Sequence, residues 1–256
     1  MTPESTKAAP IAGGEGEPAQ GCGDASAYGD ASAYGDASAY AYGDASAYAY
    51  ANKIGRIVFL SLEDVAGADN MRAILSSGRL HNRLESLPPN DFERGFAFDE
   101  LGRMQRALGE LYGPLAGRRL ARRMGRVSFR LGVQDLRPVL GIADLVFRIL
   151  PLRTRLRVGF EVLAQTFERF SDEVVELRED EEYFRWVMTR CGVCWGRRSE
   201  GPCCDLMVGL LEEAVHWLSG GAQFFIEESS CIAAGGSTCT ILIGKRPIVD
   251  GELVED

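Results

Sequence analysis

Histidine is almost absent from this sequence, with only His81 and His216 among 256 residues. No Ser-His-Asp set, glycine-rich phosphate loop or carboxylate pair stands out either. Acid–base and nucleophilic catalysis need a base placed beside the reacting group, and this chain offers few candidates. We therefore expect no catalytic residues and a binding protein rather than an enzyme.

Long apolar runs are also missing. The most apolar stretch, VLGIADLVFRILPL (139–152), is interrupted by Asp144, Arg148 and Pro151, and a membrane span needs about 18–20 apolar residues. The N-terminus lacks the apolar segment of a secretory signal. The sequence thus predicts a cytoplasmic protein without a membrane span. Cysteines stay reduced there, so clustered cysteines favour metal or redox chemistry over structural disulfides.

Large aliphatic residues are scarce in residues 1–50, where the hexapeptide GDASAY recurs four times. Such a segment buries too little apolar surface to offset its ordering entropy, so we predict a disordered, low-complexity leader. Seven acids and one lysine give it −6 of the net charge of −9. Residues 51–250, nearly balanced in charge, are predicted to form a single domain.

The hydrophobic period changes along this domain, from helical over 54–170 to alternating over 172–246. Within the helical part, one helix is predicted to end at Gly113-Pro114, and further helices are predicted over 115–133, 136–150 and 152–170, divided near Arg137-Pro138 and at Pro151. The second part has the order β-β-α-β-β, in which Leu206, Leu210, Ala214 and Trp217 share one face of the helix. We therefore predict an α+β fold, with a helical N-terminal half packed on an antiparallel sheet unit. The predicted strands and helix of that unit cover 173–179, 182–190, 205–220, 222–228 and 239–245.

An arginine-rich segment lies at 115–157, with eleven arginines against Asp135 and Asp144. Such a charge excess would suit nucleic acid or an anionic membrane surface. Few aromatic residues are interleaved with the arginines, however, and the rest of the domain is acidic. The segment therefore favours a solvated, salt-bridged helix face and no nucleic-acid partner.

Six of the seven cysteines lie within 49 residues. Cys231 and Cys239 flank a glycine-rich turn between two predicted strands, Cys204 stands at a helix entrance, and Glu228 ends a strand. Three thiolates and a carboxylate form a reasonable tetrahedral set for Zn²⁺. Cys191-x-x-Cys194 is a second candidate pair, for metal binding or for redox chemistry. Burial of the cysteines as small apolar side chains stays open as an alternative.

The stretch CCDLMVGLLEEAVHWLSGGAQFFIEESSCIAAGGSTCTILI (203–243) resembles the signature of 4-vinyl reductase domains. Cys204 and Gly209 form its Cys-x4-Gly element, an acidic residue precedes Cys231 by three positions, and Cys239 leads the last strand. The helical half from Ile54 is similar to the N-terminal part of bacterial members.

The resemblance implies an α+β ligand-binding fold, often dimeric, with a pocket between helices and sheet. In the aromatic sensors of this family a zinc ion is held by Cys, Glu, Cys and Cys. Those ligands correspond to Cys204, Glu228, Cys231 and Cys239, although Cys194 of the additional CGVC motif is an alternate ligand. The sensors read phenol with a histidine, and neither His81 nor His216 aligns with it, so phenol specificity does not carry over.

We therefore expect a zinc-stabilised, homodimeric sensor or binding domain for a small hydrophobic ligand, which is aromatic, a hydrocarbon or tetrapyrrole-like. Trp186, Trp195 and Phe225 are the pocket candidates, although core packing is the ordinary role of such aromatics. An enzyme or accessory protein of tetrapyrrole 4-vinyl reduction is one alternative. A ligand-free protein-interaction subunit is another.

Overall fold

The α+β class is confirmed. A computed structural model of the chain describes residues 48–140, 149–249 and 252–253. The helices are α1 (Asn52–Ala66), α2 (Ala68–Ser77), α3 (His81–Glu85), α4 (Phe98–Leu140), α5 (Leu152–Phe170) and α6 (Asp205–Ser219). The strands are β1 (Ala49–Ala51), β2 (Arg94–Ala97), β3 (Val174–Glu179), β4 (Tyr183–Arg190), β5 (Gln223–Ser230), β6 (Cys239–Val249) and β7 (Glu252–Leu253).

The main sheet has the strand order β3-β4-β6-β5, with β7 paired to β6, and every pairing is antiparallel. The predicted order β-β-α-β-β is therefore present. In the register of β4 and β6, Met188 lies opposite Cys239. The loop that follows β4 consequently starts beside the first residue of β6, which brings two cysteine-bearing segments to one end of the sheet.

A second, two-stranded sheet pairs β1, which precedes the region predicted as helical, with β2, which lies inside that region. Tyr50 of β1 is only 3% exposed and its ring packs against Phe96 and Phe98. The prediction of a leader that extends to residue 50 is therefore wrong at its C-terminal boundary. Residues 1–47, which carry the predicted disorder and Cys22, lie outside the described residues.

The long helix α4 departs from the predicted segmentation. Gly113 interrupts it with φ 79° and ψ 164°, a conformation that favours glycine, so the predicted break at Gly113-Pro114 is present as a kink. A second predicted break near 137–138 is wrong, because the helix continues to Leu140. Residues 141–148 of the predicted helix 136–150 lie outside the described part of the chain, whereas the helix predicted over 152–170 is confirmed as α5.

The backbones of α4 and α6 touch at two glycines. A Cβ atom added at Gly125 would lie 2.0 Å from the carbonyl oxygen of Leu206, and one added at Gly209 would lie 1.9 Å from that of Arg122. Only glycine permits so close an approach of two helices. The glycine of the Cys-x4-Gly element thus has a packing role, and it holds the start of α6 against α4.

Four arginines at helical spacing flank this contact and pair with acidic residues of α6. Arg118 binds Asp205, Arg122 and Arg126 bind Glu212, and Arg130 binds Glu213. The interpretation of these arginines as a salt-bridged helix face is confirmed. Among the described residues, no helix has the length and apolarity that a membrane crossing requires.

The glycine contact generates a stability prediction. We expect Gly209→Ala to lower the free energy of unfolding by about 1–3 kcal/mol, because its methyl group would overlap the α4 backbone. Gly109→Ala is the matched control, since a Cβ atom at that α4 position meets no atom within 4 Å. It should raise stability by about 0.5–1 kcal/mol through helix propensity. Urea denaturation of both variants measures the difference, and equal effects would contradict the role of Gly209.

Candidate functional site

An apolar cavity of about 130 Å³ lies among α1, α4, α5 and α6, with the small sheet at one side. Its wall includes Ile57 of α1, Leu136 of α4, Leu163 of α5 and Leu210 of α6. The helices, together with β1 and β2, supply most of its lining. The main sheet does not, which corrects the expectation of a pocket between the helical half and that sheet.

The cavity wall carries four hydroxyl groups, and each donates its proton to another protein atom. Tyr50 Oη lies 2.7 Å from Glu173 Oε1, and Ser128 Oγ lies 2.9 Å from Ser61 Oγ. Thr166 Oγ1 and Ser171 Oγ donate to backbone carbonyls, each at 2.7 Å. Within the described residues, no histidine, lysine or carboxylate lines the cavity. The wall therefore favours an apolar occupant.

The three aromatic residues predicted to line the pocket lie elsewhere. Trp186 is fully buried against Phe167, Trp195 packs on Phe98, and Phe225 contacts Tyr183. None of the three lines this cavity, so their assignment to a ligand pocket stays a prediction that the cavity does not support.

The predicted face of α6 supplies part of the wall instead. Leu206, Leu210, Ala214 and Trp217 all line the cavity. Trp217, 36% exposed, lies beside Phe129 with 6.3 Å between the ring centroids. The helical period of α6 was therefore a better guide to the pocket than the aromatic residues of the strands.

Six buried cysteines meet at the end of the sheet where β4 leaves and β6 begins. Cys191 and Cys194 come from the loop after β4. Cys203 and Cys204 precede α6, whereas Cys231 and Cys239 flank the turn between β5 and β6. That turn contains a short 3₁₀ helix, which ends at Gly235, whose φ of 91° favours glycine.

The sulfur atoms lie at distances that suit a tetrahedral ion. Cys204 Sγ is 3.7 Å from Cys239 Sγ and 3.9 Å from Cys231 Sγ, and the last two are 3.8 Å apart. A Zn²⁺ ion bonded to sulfur at about 2.3 Å in a tetrahedron separates its ligands by about 3.8 Å. The donor atoms of Cys204, Glu228, Cys231 and Cys239 all lie within 4.8 Å of one another. The structure thus brings together the four residues that the resemblance assigns to zinc.

Glu228 contributes a buried carboxylate to this group. Its Oε2 atom accepts a hydrogen bond of 2.7 Å from the backbone N–H of Cys204, whereas Oε1 is buried and has no hydrogen-bond partner among the described residues. Burial, and then the charge of Cys231, raise its pKa to about 8. A buried oxygen without a partner is costly, and a bound cation would satisfy it.

The crowded thiols cannot all ionise on their own. Hydrogen bonds from neighbouring thiols, Cys194 first and then Cys203, lower the pKa of Cys231. Interactions with Cys191 and then Cys194 raise the pKa of Cys239. A thiolate at one position therefore keeps its neighbours protonated, and a divalent cation would allow several thiolates to form together.

A buried carboxyl group links the cavity to the cysteines. Glu173 Oε1 accepts hydrogen bonds from Tyr50 Oη at 2.7 Å and from the backbone N–H of Gly192 at 2.9 Å. Gly192 follows Cys191, and the next residue, Val193, lines the cavity. Burial is the main reason that the pKa of Glu173 is raised to about 8. The sequence shows no signal for this residue, because Tyr50 lies 123 positions away.

Neither protein-family models nor curated protein sequences match this chain. Among solved structures, the chain is similar to the Fe(II) unliganded H-NOX protein from K. algicida, at 11% identity and a TM-score of 0.51, over 76% of this chain and 95% of that one. An H-NOX variant from S. oneidensis in the Fe(II) ligation state is 17% identical, with a TM-score of 0.44 over 78% and 96% of the two chains. The phenol-responsive sensory domain of the transcription activator PoxR, solved with phenol, is 19% identical, with a TM-score of 0.44 over 71% and 92%. The K. algicida structure shows that the two proteins share a fold.

The buried Glu173 generates a pH prediction. Between its unfolded pKa of 4.5 and its folded pKa of about 8, the native state holds a proton that the unfolded state has released. Rising pH therefore favours unfolding, with a slope of up to about 1.4 kcal/mol per pH unit. Glu173→Gln keeps an acceptor for Tyr50 and Gly192 but cannot titrate.

We expect the stability of Glu173→Gln relative to the wild type to increase from pH 5 to pH 8, as measured by urea denaturation under identical metal conditions. The exposed Glu176→Gln is the matched control and should show no such increase. A constant difference between wild type and Glu173→Gln across this range would contradict a proton held at Glu173.

Proposed function

We propose that this chain is a sensor or binding domain for a small apolar ligand, of the size of one aromatic ring, with a zinc site that stabilises its C-terminal half. The observation that carries the proposal is the apolar cavity of about 130 Å³ among the helices. A homodimeric state and a cytoplasmic location stay predictions from the sequence.

The size of the cavity separates the candidate ligands. An apolar protein cavity of about 150 Å³ stays dry and binds benzene, whereas pockets for drug-sized ligands span about 300–1,000 Å³. A volume of about 130 Å³ therefore suits a monocyclic aromatic or a short hydrocarbon. A tetrapyrrole is several times larger, which argues against tetrapyrrole 4-vinyl reduction in this cavity.

The chemistry of the wall supports binding rather than catalysis. Its hydroxyls are committed to protein acceptors, and a reduction would need a proton donor and a source of hydride beside the ligand. A pure interaction subunit has no need of such a cavity, because empty apolar volume lowers stability. The cavity thus favours ligand binding over both alternatives.

Zinc is the metal that the first donor set fits best. Three thiolates and one carboxylate at tetrahedral spacing match its ligand preferences. Cys204, Glu228, Cys231 and Cys239 belong to the start of α6, to β5 and to both ends of the β5–β6 turn. An ion bound there would tie α6 to the last hairpin, so its binding free energy would contribute to folding.

The ligand proposal is tested by thermal unfolding of metal-loaded protein with benzene, toluene, phenol, hexane and protoporphyrin. We expect benzene, toluene and hexane to raise the melting temperature, by an amount equivalent to about 2.7 kcal/mol at one hundred times the dissociation constant. Phenol should have a weaker effect, because no wall hydroxyl has a free proton for its oxygen. Protoporphyrin should have no effect.

Two variants complete the ligand experiment. Ala214→Leu adds volume at a buried wall position and should abolish the shift that toluene causes. Phe225→Leu removes a ring outside the cavity and should preserve that shift. If none of the small apolar ligands stabilises the wild type, the interaction-subunit alternative becomes the better explanation.

The zinc proposal is tested by metal analysis of reduced protein. Cys231→Ser should lose the zinc bound by the first donor set and lower the melting temperature, because a ligand is lost between β5 and β6. Cys203→Ser is the control: that cysteine is equally buried, with its sulfur 3.8 Å from Cys231, but it belongs to neither group of metal donors. If the wild type contains no zinc and Cys231→Ser is as stable as the wild type, the zinc proposal is refuted. The cysteines would then be explained by packing as small apolar side chains.

A further inference from the structure

The cysteine cluster contains a second set of four metal donors besides the one assigned to zinc. The sulfur atoms of Cys191, Cys194, Cys204 and Cys239 all lie within 4.8 Å of one another, and all four residues are buried. This set shares Cys204 and Cys239 with the first set and replaces Glu228 and Cys231 by the two cysteines of the CGVC motif.

The distances around the shared pair fit two tetrahedra with a common edge. Cys191 Sγ lies 3.6 Å from Cys204 Sγ, and Cys194 Sγ lies 3.4 Å from Cys239 Sγ. The shared sulfurs of Cys204 and Cys239 are 3.7 Å apart and form the common edge. On its other side, Cys231 Sγ lies 3.9 Å from Cys204 Sγ and 3.8 Å from Cys239 Sγ. These values are close to the separation of about 3.8 Å that a tetrahedral zinc imposes on thiolate ligands.

A single ion would leave part of the cluster unused. An ion in the first set leaves the thiols of Cys191 and Cys194, which are 0% and 3% exposed, beside a metal without binding it. With two divalent ions, five thiolates and one carboxylate give a centre of charge −2. With one ion, the same six ionised donors would carry −4, which burial strongly disfavours.

We propose that the CGVC loop supplies a second metal site, so that Cys204 and Cys239 bridge two ions of the Zn²⁺ class. Cys191 and Cys194 complete one tetrahedron, whereas Glu228 and Cys231 complete the other. Soft divalent ions that accept tetrahedral thiolate ligands, such as Zn²⁺, Cd²⁺ and Co²⁺, are the chemical class that this set takes. This inference rests on the zinc site of the proposed function and extends it to a two-metal centre.

The test is the metal stoichiometry of the full-length, reduced protein loaded with zinc, measured by native mass spectrometry. The wild type should carry two zinc ions per chain. The double variant Cys191→Ser/Cys194→Ser should carry one, and the matched control Cys203→Ser should carry two. The wild-type value tests the proposal even if the double variant does not fold.

Titration with Co²⁺ provides a second readout. The ligand-field absorption of tetrahedral cobalt should rise up to two equivalents in the wild type and in Cys203→Ser, and up to one equivalent in the double variant. Each end point reports occupied tetrahedral sites and does not depend on ligand binding in the cavity.

Three results would overturn the two-metal centre, and they separate it from the first zinc site. If the wild type and the double variant each carry one zinc, the second site is refuted and the first zinc site stands. If the wild type carries one zinc, which the double variant loses and Cys231→Ser keeps, the single ion belongs to the all-cysteine set. Absence of zinc from the wild type would remove both sites.

Discussion

The contact between the backbones of α4 and α6 at Gly125 and Gly209 is the constraint on which the site depends. It brings two helices closer than any side chain would allow, and salt bridges from the arginines of α4 flank it. With α6 held there, Cys204, which immediately precedes this helix, lies at the end of the sheet, and the apolar face of α6 lies against the cavity. The helix α6 thus contributes to both the cavity and the cysteine cluster, and its position depends on the absence of side chains at Gly125 and Gly209.

The cavity and the cysteine cluster are built from the same short segments. Val193, which lines the cavity, lies between the two cysteines of the CGVC loop, and Leu206 follows Cys204 by two residues. The Tyr50–Glu173–Gly192 hydrogen bonds join the cavity wall to that loop. A change in how the loop is held by metal would therefore reach the wall directly. The cavity wall and the cysteine cluster are therefore directly connected, in a fold shared with the H-NOX protein from K. algicida.

Electrostatics prevent the donors of the cysteine cluster from ionising together without a cation. Six buried thiols and the Glu228 carboxyl share one end of the sheet, and one carboxylate oxygen has no partner among the described residues. Burial disfavours each ionised form, and each thiolate disfavours the next. A divalent cation at the point where the donors converge would offset both penalties, because it would supply positive charge there. The same cluster in the absence of metal would keep most of its thiols protonated.

Local patterns in the sequence were sufficient for the α+β class, for the β-β-α-β-β order and for the apolar face of α6, since hydrophobic period and glycine signals act over a few residues. The resemblance in the C-terminal stretch identified the four donors that the structure brings together. Other features depend on contacts between distant residues. The buried hydroxyl of Tyr50 donates to Glu173, which lies far away in the sequence. The place of the CGVC loop beside Cys239 follows from the register of β4 and β6, and the cavity lies where four helices leave space between them. Such features were decided by the tertiary structure, because register and packing are set by the whole fold, and neither leaves a periodic signal in any one segment.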